Sequence, residues 1–279
     1  MKKTTFFFHC YFKNILLIGG LILISITSCR RADQKHHVKI QTVYGDMVVE
    51  LYNETPKHRD NFIKLVERDY YNDLLFHRII KEFMIQGGDP DSRGAEEDEK
   101  LGNGGPGYTI DAEFNPALFH KKGVIAAARK GDKSNPQKAS SGSQFYIVQG
   151  KRFTEEELDS LEDEKLMKES QKIFMKKQWI LKDSFMYYQQ HHLYEKIDSL
   201  REKLREEADS IAMTNRFTIP EEHRKVYKQE GGTPHLDGNY TVFGEVTEGL
   251  SVIDSIAGVE TGVSDRPLKD IVMKIELID

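Results

Sequence analysis

One stretch combines residue types that could do chemistry: Phe76-His77-Arg78-Ile79-Ile80-Lys81-Glu82-Phe83-Met84-Ile85-Gln86-Gly87-Gly88-Asp89. Arginine keeps its charge at any physiological pH, so Arg78 cannot carry a proton. It can only donate hydrogen bonds from a rigid fork. That suits a reaction without proton transfer. The alternation of Ile79, Lys81, Phe83 and Ile85 with Arg78, Ile80, Glu82, Met84 and Gln86 predicts a strand with Arg78, Met84 and Gln86 on one face. Phe83 then faces away unless a bulge at Lys81-Glu82 resets the phase. The plainer alternative is a core strand with a snorkelling arginine. Other chemistries find no purchase. The chain has no H-E-x-x-H, G-x-S-x-G or C-x-x-C. Gly102, Gly104 and Gly107 satisfy G-x-G-x-x-G, but no strand feeds them and Pro106 interrupts, so a dinucleotide site is rejected. His36-His37 and His191-His192 lack ligands at metal spacing and read as solvated surface. No cofactor and no metal are expected.

The Arg78 stretch resembles the signature of the cyclophilin family of peptidyl-prolyl isomerases, F-H-R-I-I-x-x-F-M-x-Q-G-G-D. Three further stretches agree in family order: Gly102-Asn103-Gly104-Gly105-Pro106-Gly107-Tyr108, Ser141-Gly142-Ser143-Gln144-Phe145-Tyr146-Ile147, and Leu236-Asp237-Gly238-Asn239-Tyr240-Thr241-Val242-Phe243-Gly244. The resemblance implies that Arg78 donates to the prolyl nitrogen as the X-Pro amide twists. Phe83, Met84, Tyr146 and Leu236 would wall the proline ring. Gln86 and the backbone at Arg129 would hold substrate carbonyl and amide groups, while Ala128 and Gln144 line the neighbouring groove. Tyr240 stands where many relatives have histidine. Tyr146 replaces a phenylalanine, Arg129 occupies an asparagine position, and His235 stands where cyclosporin-binding relatives have tryptophan.

The 279 residues are ordinary in apolar content, and a net charge of −5 argues against nucleic acid as the main partner. Lys2, Lys3 and Lys13 precede the apolar run Ile15 to Ile26, and Ile26-Thr27-Ser28-Cys29 follows. This resembles a bacterial lipoprotein signal: residues 1–28 are expected to be removed, Cys29 lipidated, and 29–37 to form a polar tether. The run is short of the roughly 20 apolar residues a membrane span needs. Cys10 and Cys29 are the only cysteines, so the mature chain holds no disulfide framework.

The elements that must position the site follow from periodicity. Val38 to Tyr44, Gly45-Asp46 and Met47 to Tyr52 predict a hairpin with a two-residue Gly-Asp turn. Thr55 before Pro56, with Phe62, Leu65 and Val66, predicts an N-capped helix ending near Arg68. Pro90 to Gly107 has loop composition. Gly123 to Arg129 predicts a small-residue strand that a substrate backbone can approach, and Gln144 to Val148 the next strand. From Thr154 to Ile219 there is neither glycine nor proline. Thr154 with Glu157 makes a capping box, and Leu193, Ile197, Leu200, Leu204 and Ile211 recur at helical steps. A folded-back hairpin is expected, broken near Asp183-Ser184, because Ile173, Phe174, Trp179, Ile180, Phe185 and Tyr188 need a partner surface. A further helix is expected from Pro220 to before Gly231-Gly232.

The family resemblance therefore implies a mainly β fold: a closed eight-stranded antiparallel barrel capped by helices, in segments 38–152 and 233–279, with an inserted α-helical arm at 153–232. The arm interrupts the pattern between Tyr146 and Leu236; it is expected either to hold unfolded chains or dock a partner beside the mouth, or to be a solvated arm without a role in turnover. The expected protein is a lipid-anchored, extracytoplasmic isomerase of a bacterial envelope. Its partners would be X-Pro-containing polypeptides, folding envelope or secreted proteins, and the membrane. The alternatives are a periplasmic chaperone or proline-peptide-binding module, and a structural envelope protein anchored through Cys29.

Overall fold

The computed structural model describes residues 35–278; the signal-like segment, Cys29 and the tether up to residue 34 lie outside the described residues. Eleven strands are present among them: β1 (His36–Thr42), β2 (Gly45–Leu51), β3 (Leu74–Leu75), β4 (Arg78–Ile80), β5 (Met84–Gly87), β6 (Thr109–Ile110), β7 (Val124–Ala127), β8 (Ser140–Ser141), β9 (Phe145–Val148), β10 (Val242–Glu248) and β11 (Val272–Ile278). The helices are α1 (Pro56–Val66), α2 (Glu155–Ile180), α3 (Lys182–Gln190), α4 (Tyr194–Thr214), α5 (Glu221–Gln229) and α6 (Leu250–Ala257). The chain forms two compact units, residues 35–118, 123–148 and 238–278 in one, and 119–122 with 149–237 in the other.

In the first unit nine strands form one antiparallel sheet in the order β3-β11-β1-β2-β10-β7-β9-β5-β4, and β6 pairs with β8 apart from it. The period of two sends Val38, Ile40, Met47, Val49 and Leu51 into the core, where Phe62 and Leu65 of α1 and Ile253 and Ile256 of α6 cover them. The ladder does not close as an eight-stranded barrel. The two end strands, β3 and β4, are consecutive in the chain, joined by Phe76-His77, and no ladder pairs them. Leu75 and Arg78 are at most about 11 Å apart across three Cα steps, so the sheet curls until its ends meet. Covalent continuity stands there in place of hydrogen bonds.

The first hairpin turns at Val43-Tyr44, not at Gly45-Asp46, since Thr42 pairs with Gly45. The Thr42 hydroxyl donates to the Gly45 carbonyl at 2.9 Å and accepts from the Tyr44 N–H at 3.1 Å, which fixes the reversal two residues earlier. Gly45 follows with φ +121°. His36 and His37, assigned to the tether, pair in β1 with Leu51 and Glu50.

Thr55 stands at the N-cap of α1, but its side chain makes no capping bond, and its buried hydroxyl has no partner among the described residues. Glu113, from a loop more than fifty positions away, does the capping. Its carboxylate accepts from the Lys57 N–H at 3.1 Å and the His58 N–H at 3.0 Å. A negative charge at a helix start also complements the helix dipole. The same carboxylate takes His58 Nδ1 at 2.6 Å while Nε2 meets Ser140 Oγ at 2.9 Å. Burial holds His58 below the usual histidine range despite the carboxylate.

In the second unit α2 and α4 lie antiparallel on a seam of Phe174, Leu204 and Ala208, with Ile173, Leu181, Phe185 and Leu200 against it. The chain breaks at Leu181 and reverses at His191 to Leu193, with His192 at φ +56°, rather than at Asp183-Ser184. The buried α4 stripe runs Ile197, Leu204, Ala208 and Ala212; Ile211 is turned out. Trp179 and Ile180 find no partner surface and stay 70% and 61% exposed. At the other end Arg224 of α5 binds Glu155, Asp159 and Glu162 of α2, and the Thr154–Glu157 capping box is present. Pro220 is the N-cap of α5 rather than its first residue.

Replacing Glu113 by alanine is expected to cost about 2–3 kcal/mol in urea unfolding, because two helix N–H groups and a buried imidazole lose one acceptor. Thr55→Val is expected to be neutral or slightly stabilising in the same measurement, since its hydroxyl is buried without a bond.

Candidate active site

The Arg78 stretch is a tight hairpin, not one strand. Register pairs Arg78 with Gln86, Ile79 with Ile85 and Ile80 with Met84. The reversal occupies Lys81 to Phe83, with Glu82 at φ +60° and the Phe83 N–H bonded to the Ile80 carbonyl at 3.1 Å. Directly opposed residues share a face, so Arg78, Ile80, Met84 and Gln86 still lie on one side. Phe83 belongs to the turn and is half-buried.

The register carries the row onward: Gln86 opposes Tyr146 on β9, Tyr146 opposes Ala126 on β7, and Ala126 opposes Val242 on β10. Arg78 is therefore the cationic end of a row that is otherwise amide, aromatic and aliphatic. Its Nε donates to Asp265 Oδ2 at 3.2 Å and its Nη1 to Gln86 Oε1 at 3.5 Å. Among the described residues Nη2 has no partner. The side chain is 41% exposed, so the fork is reachable from solvent.

Gln86 is oriented in turn. Its Nε2 donates to Gln144 Oε1 at 3.0 Å, and Gln144 Nε2 donates to the Gly104 carbonyl at 2.8 Å. The loop that offers this carbonyl is braced by Asp89, wholly buried, whose carboxylate accepts the N–H groups of Asp91, Gly102 and Gly104. A Cβ at Gly104 would come within 2.1 Å of an Asp89 oxygen, so only glycine lets the loop approach the carboxylate. Neither Asp89 nor Asp265 had a role assigned from sequence. Asp89 has a local signal, a carboxylate between Gly88 and Pro90; Asp265 has none, being 187 positions from its arginine.

Beyond Tyr146, which is 4% exposed, the groove continues over Ala128, whose N–H bonds the Gln144 carbonyl at 2.9 Å. The Arg129 guanidinium lies 4.5 Å from the centroid of the Tyr240 ring, its Nε bonds the Asn239 carbonyl at 2.7 Å and its Nη1 pairs with Asp132. Tyr240 meets Tyr146 edge-on at 5.8 Å. The Arg129 backbone N–H and carbonyl make no hydrogen bond among the described residues and can take an extended peptide. Met84, Gln86, Gln144, Tyr146, Ala128, Arg129 and Tyr240 thus gather with Arg78 in the first unit. Leu236 belongs to the second unit, where it is 8% exposed in the turn Pro234–Leu236.

The row is borne on one sheet and ends in a permanent cation. A family model described as cyclophilin type peptidyl-prolyl cis-trans isomerase/CLD matches residues 37–174 and 189–276, leaving 175–188 of the helical unit outside. A Staphylococcus haemolyticus protein named as a peptidyl-prolyl cis-trans isomerase is 29% identical over 248 residues, 88% of this chain and 92% of that one. A Streptococcus pyogenes serotype M6 protein, named as a bifunctional phosphatase and peptidyl-prolyl cis-trans isomerase, is 31% identical over 87% of this chain, which spans 38% of its length. The crystal structure of a Cryptosporidium parvum cyclophilin type isomerase shares the fold, with TM-score 0.51 and 21% identity over 88% of this chain and 99% of that one. The chain belongs to the cyclophilin-type peptidyl-prolyl cis-trans isomerase family.

His77, in the link between β3 and β4, is buried, neither ring nitrogen has a hydrogen-bond partner among the described residues, and burial lowers its pKa to about 4. The unfolded chain protonates this histidine near pH 6.5, the folded chain only near 4. Stability from this group is therefore complete above pH 6.5 and is lost as pH falls toward 4. Wild type is expected to lose about 2–3 kcal/mol between pH 7.5 and 4.5 that a His77→Leu variant retains, read as the difference between their urea midpoints.

Proposed function

We propose that the protein accelerates cis-trans exchange of X-Pro bonds in secreted or envelope proteins by non-covalent stabilisation of the twisted amide, with Arg78 as donor to the prolyl nitrogen. Rotation about an X-Pro bond must break amide resonance against a barrier of about 18–20 kcal/mol. In the twisted state the nitrogen is pyramidal and its lone pair accepts a hydrogen bond. A donor that meets the nitrogen only there lowers the barrier without a covalent step. An acceleration of about four decades requires roughly 5.5 kcal/mol. The observation that carries this reading is the Arg78 fork, held through Nε and Nη1 with Nη2 unpartnered. In the same reading Phe83, Met84 and Tyr146 wall the ring, Gln86 and the Arg129 backbone hold the peptide, Ala128 and Gln144 line the groove, and Tyr240 closes its side. The curled sheet, joined through Phe76-His77, acts as the family's barrel.

A second reading concerns the arm, 153–232. Trp179, Ile180, Met175, Met186 and Tyr187 are each more than half exposed, and flexible methionines with aromatics suit varied apolar segments. The arm then holds unfolded chains, and the protein works as a chaperone as well as an isomerase. Anchoring through a lipidated Cys29 would place both activities on a periplasm-facing, extracytoplasmic surface of the bacterial envelope, at the inner or the outer membrane.

The test is NMR exchange of a short X-Pro peptide with protein from residue 35 onward, which keeps β1 whole. Wild type is expected to accelerate exchange and Arg78→Ala to lose about a hundredfold or more; no acceleration by wild type overturns the isomerase reading. Proteolytic nicking within 175–188 is expected to slow refolding of a protein substrate while leaving peptide exchange intact. Unchanged refolding removes the chaperone reading. Labelled fatty acid is expected to enter the full chain in a bacterial host and to be absent from Cys29→Ser.

A further inference from the structure

Asp265 comes to Arg78 from the turn between α6 and β11. Ser264 and Asp265 stand at φ +60° and +62°, two left-handed residues in succession and neither of them glycine. Side chains with a Cβ hold that backbone only where the surroundings impose it, and such places concentrate at functional sites. The surroundings here are specific. Arg266, next in the chain and 8% exposed, donates from Nη1 to the carbonyls of Glu96, Glu97 and Glu99 at 2.6, 3.3 and 3.3 Å. Its Nη2 reaches the Ala95 carbonyl at 3.2 Å and Asp270 Oδ1 at 3.1 Å. Thr261 and Pro267 bridge across the base of the turn, and the Gly262 N–H bonds the Arg266 carbonyl at 2.7 Å. The turn is pinned by a buried cation, and what it presents is one carboxylate.

We propose that Asp265 is a positioning residue for Arg78. A guanidinium is a planar fork, so acceptors on two of its three nitrogens fix both its plane and the direction of the third. Asp265 takes Nε and Gln86 takes Nη1; together they aim Nη2. Arg266 holds the turn so that the carboxylate meets the fork without the chain having to order it during turnover. At 44% exposure this ion pair adds little to stability, and its effect is directional. The inference rests on Arg78 being the donor to the prolyl nitrogen. The same contact would have the opposite consequence if Asp265 restrained Arg78 and had to release it for substrate to enter, and the sign of one substitution separates the two.

The experiment compares wild type, Asp265→Ala, Asp265→Asn and Arg78→Ala, all as protein from residue 35 onward, by exchange kinetics on one X-Pro peptide, thermal melting and the NMR resonance of the Arg78 Nε–H. Asp265→Ala is expected to lower kcat about tenfold or more, with KM changed less than about threefold, because direction and not grip is lost. The Arg78 Nε–H signal is expected to move upfield as its charge-assisted bond goes, with the melting temperature nearly unchanged. Asp265→Asn keeps an acceptor oxygen and is expected to recover part of kcat. An Asp265→Ala protein that matches or exceeds wild type in kcat, while Arg78→Ala is inactive, overturns the positioning role alone. Wild type without activity, or Arg78→Ala with full activity, overturns the reading of Arg78 and this inference with it.

Discussion

The Arg78 guanidinium carries a charge that no physiological pH removes, and it stands at the end of an otherwise uncharged row of residues across the sheet. A cation in such a place collapses onto whatever acceptor is nearest unless its acceptors are chosen for it. Here they come from two directions. Gln86 is supplied by the partner strand of the same hairpin, Asp265 by a turn 187 positions further on. The rest of the first unit is arranged so that neither acceptor moves.

On the Gln86 side the support is a relay of neutral amides. Gln144 holds Gln86, the Gly104 carbonyl holds Gln144, and buried Asp89 holds the loop of Gly104. Gln86, Gln144 and Gly104 each use one donor and one acceptor, and Asp89 ends the relay by accepting three backbone N–H groups. The Asp265 side uses charge instead: a buried arginine on four loop carbonyls fixes a backbone that would otherwise relax out of the left-handed region. Each device works by holding an acceptor in place, an amide oxygen on one side and an ion-paired carboxylate on the other.

The helical unit follows different rules. Its seam is narrow, two helices meeting on Phe174, Leu204 and Ala208, and its far end leaves the chain's one tryptophan in the open. The family model stops short of that end, at 174, and resumes at 189. What varies from the family pattern is therefore the exposed apolar tip, not the ion-pair cluster around Arg224 at the base.

Sequence alone determined the family, the residues that gather around Arg78 on one sheet face, and the helical nature of 155–214, because each rests on local spacing: a motif, a period of two, a period near 3.6 without glycine or proline. It misplaced two turns and one cap, each set by a contact or backbone state that carries no periodic signal. The Thr42 hydroxyl moved the first hairpin turn, Glu113 took over the cap that Thr55 promised, and a histidine in the left-handed region reversed the arm where no glycine signals a turn. The sheet's meeting ends, the Asp89 brace and the Asp265 contact belong to tertiary structure alone. They join residues whose separation in the chain carries no periodic signal, and only folding brings a carboxylate to the arginine that needs it.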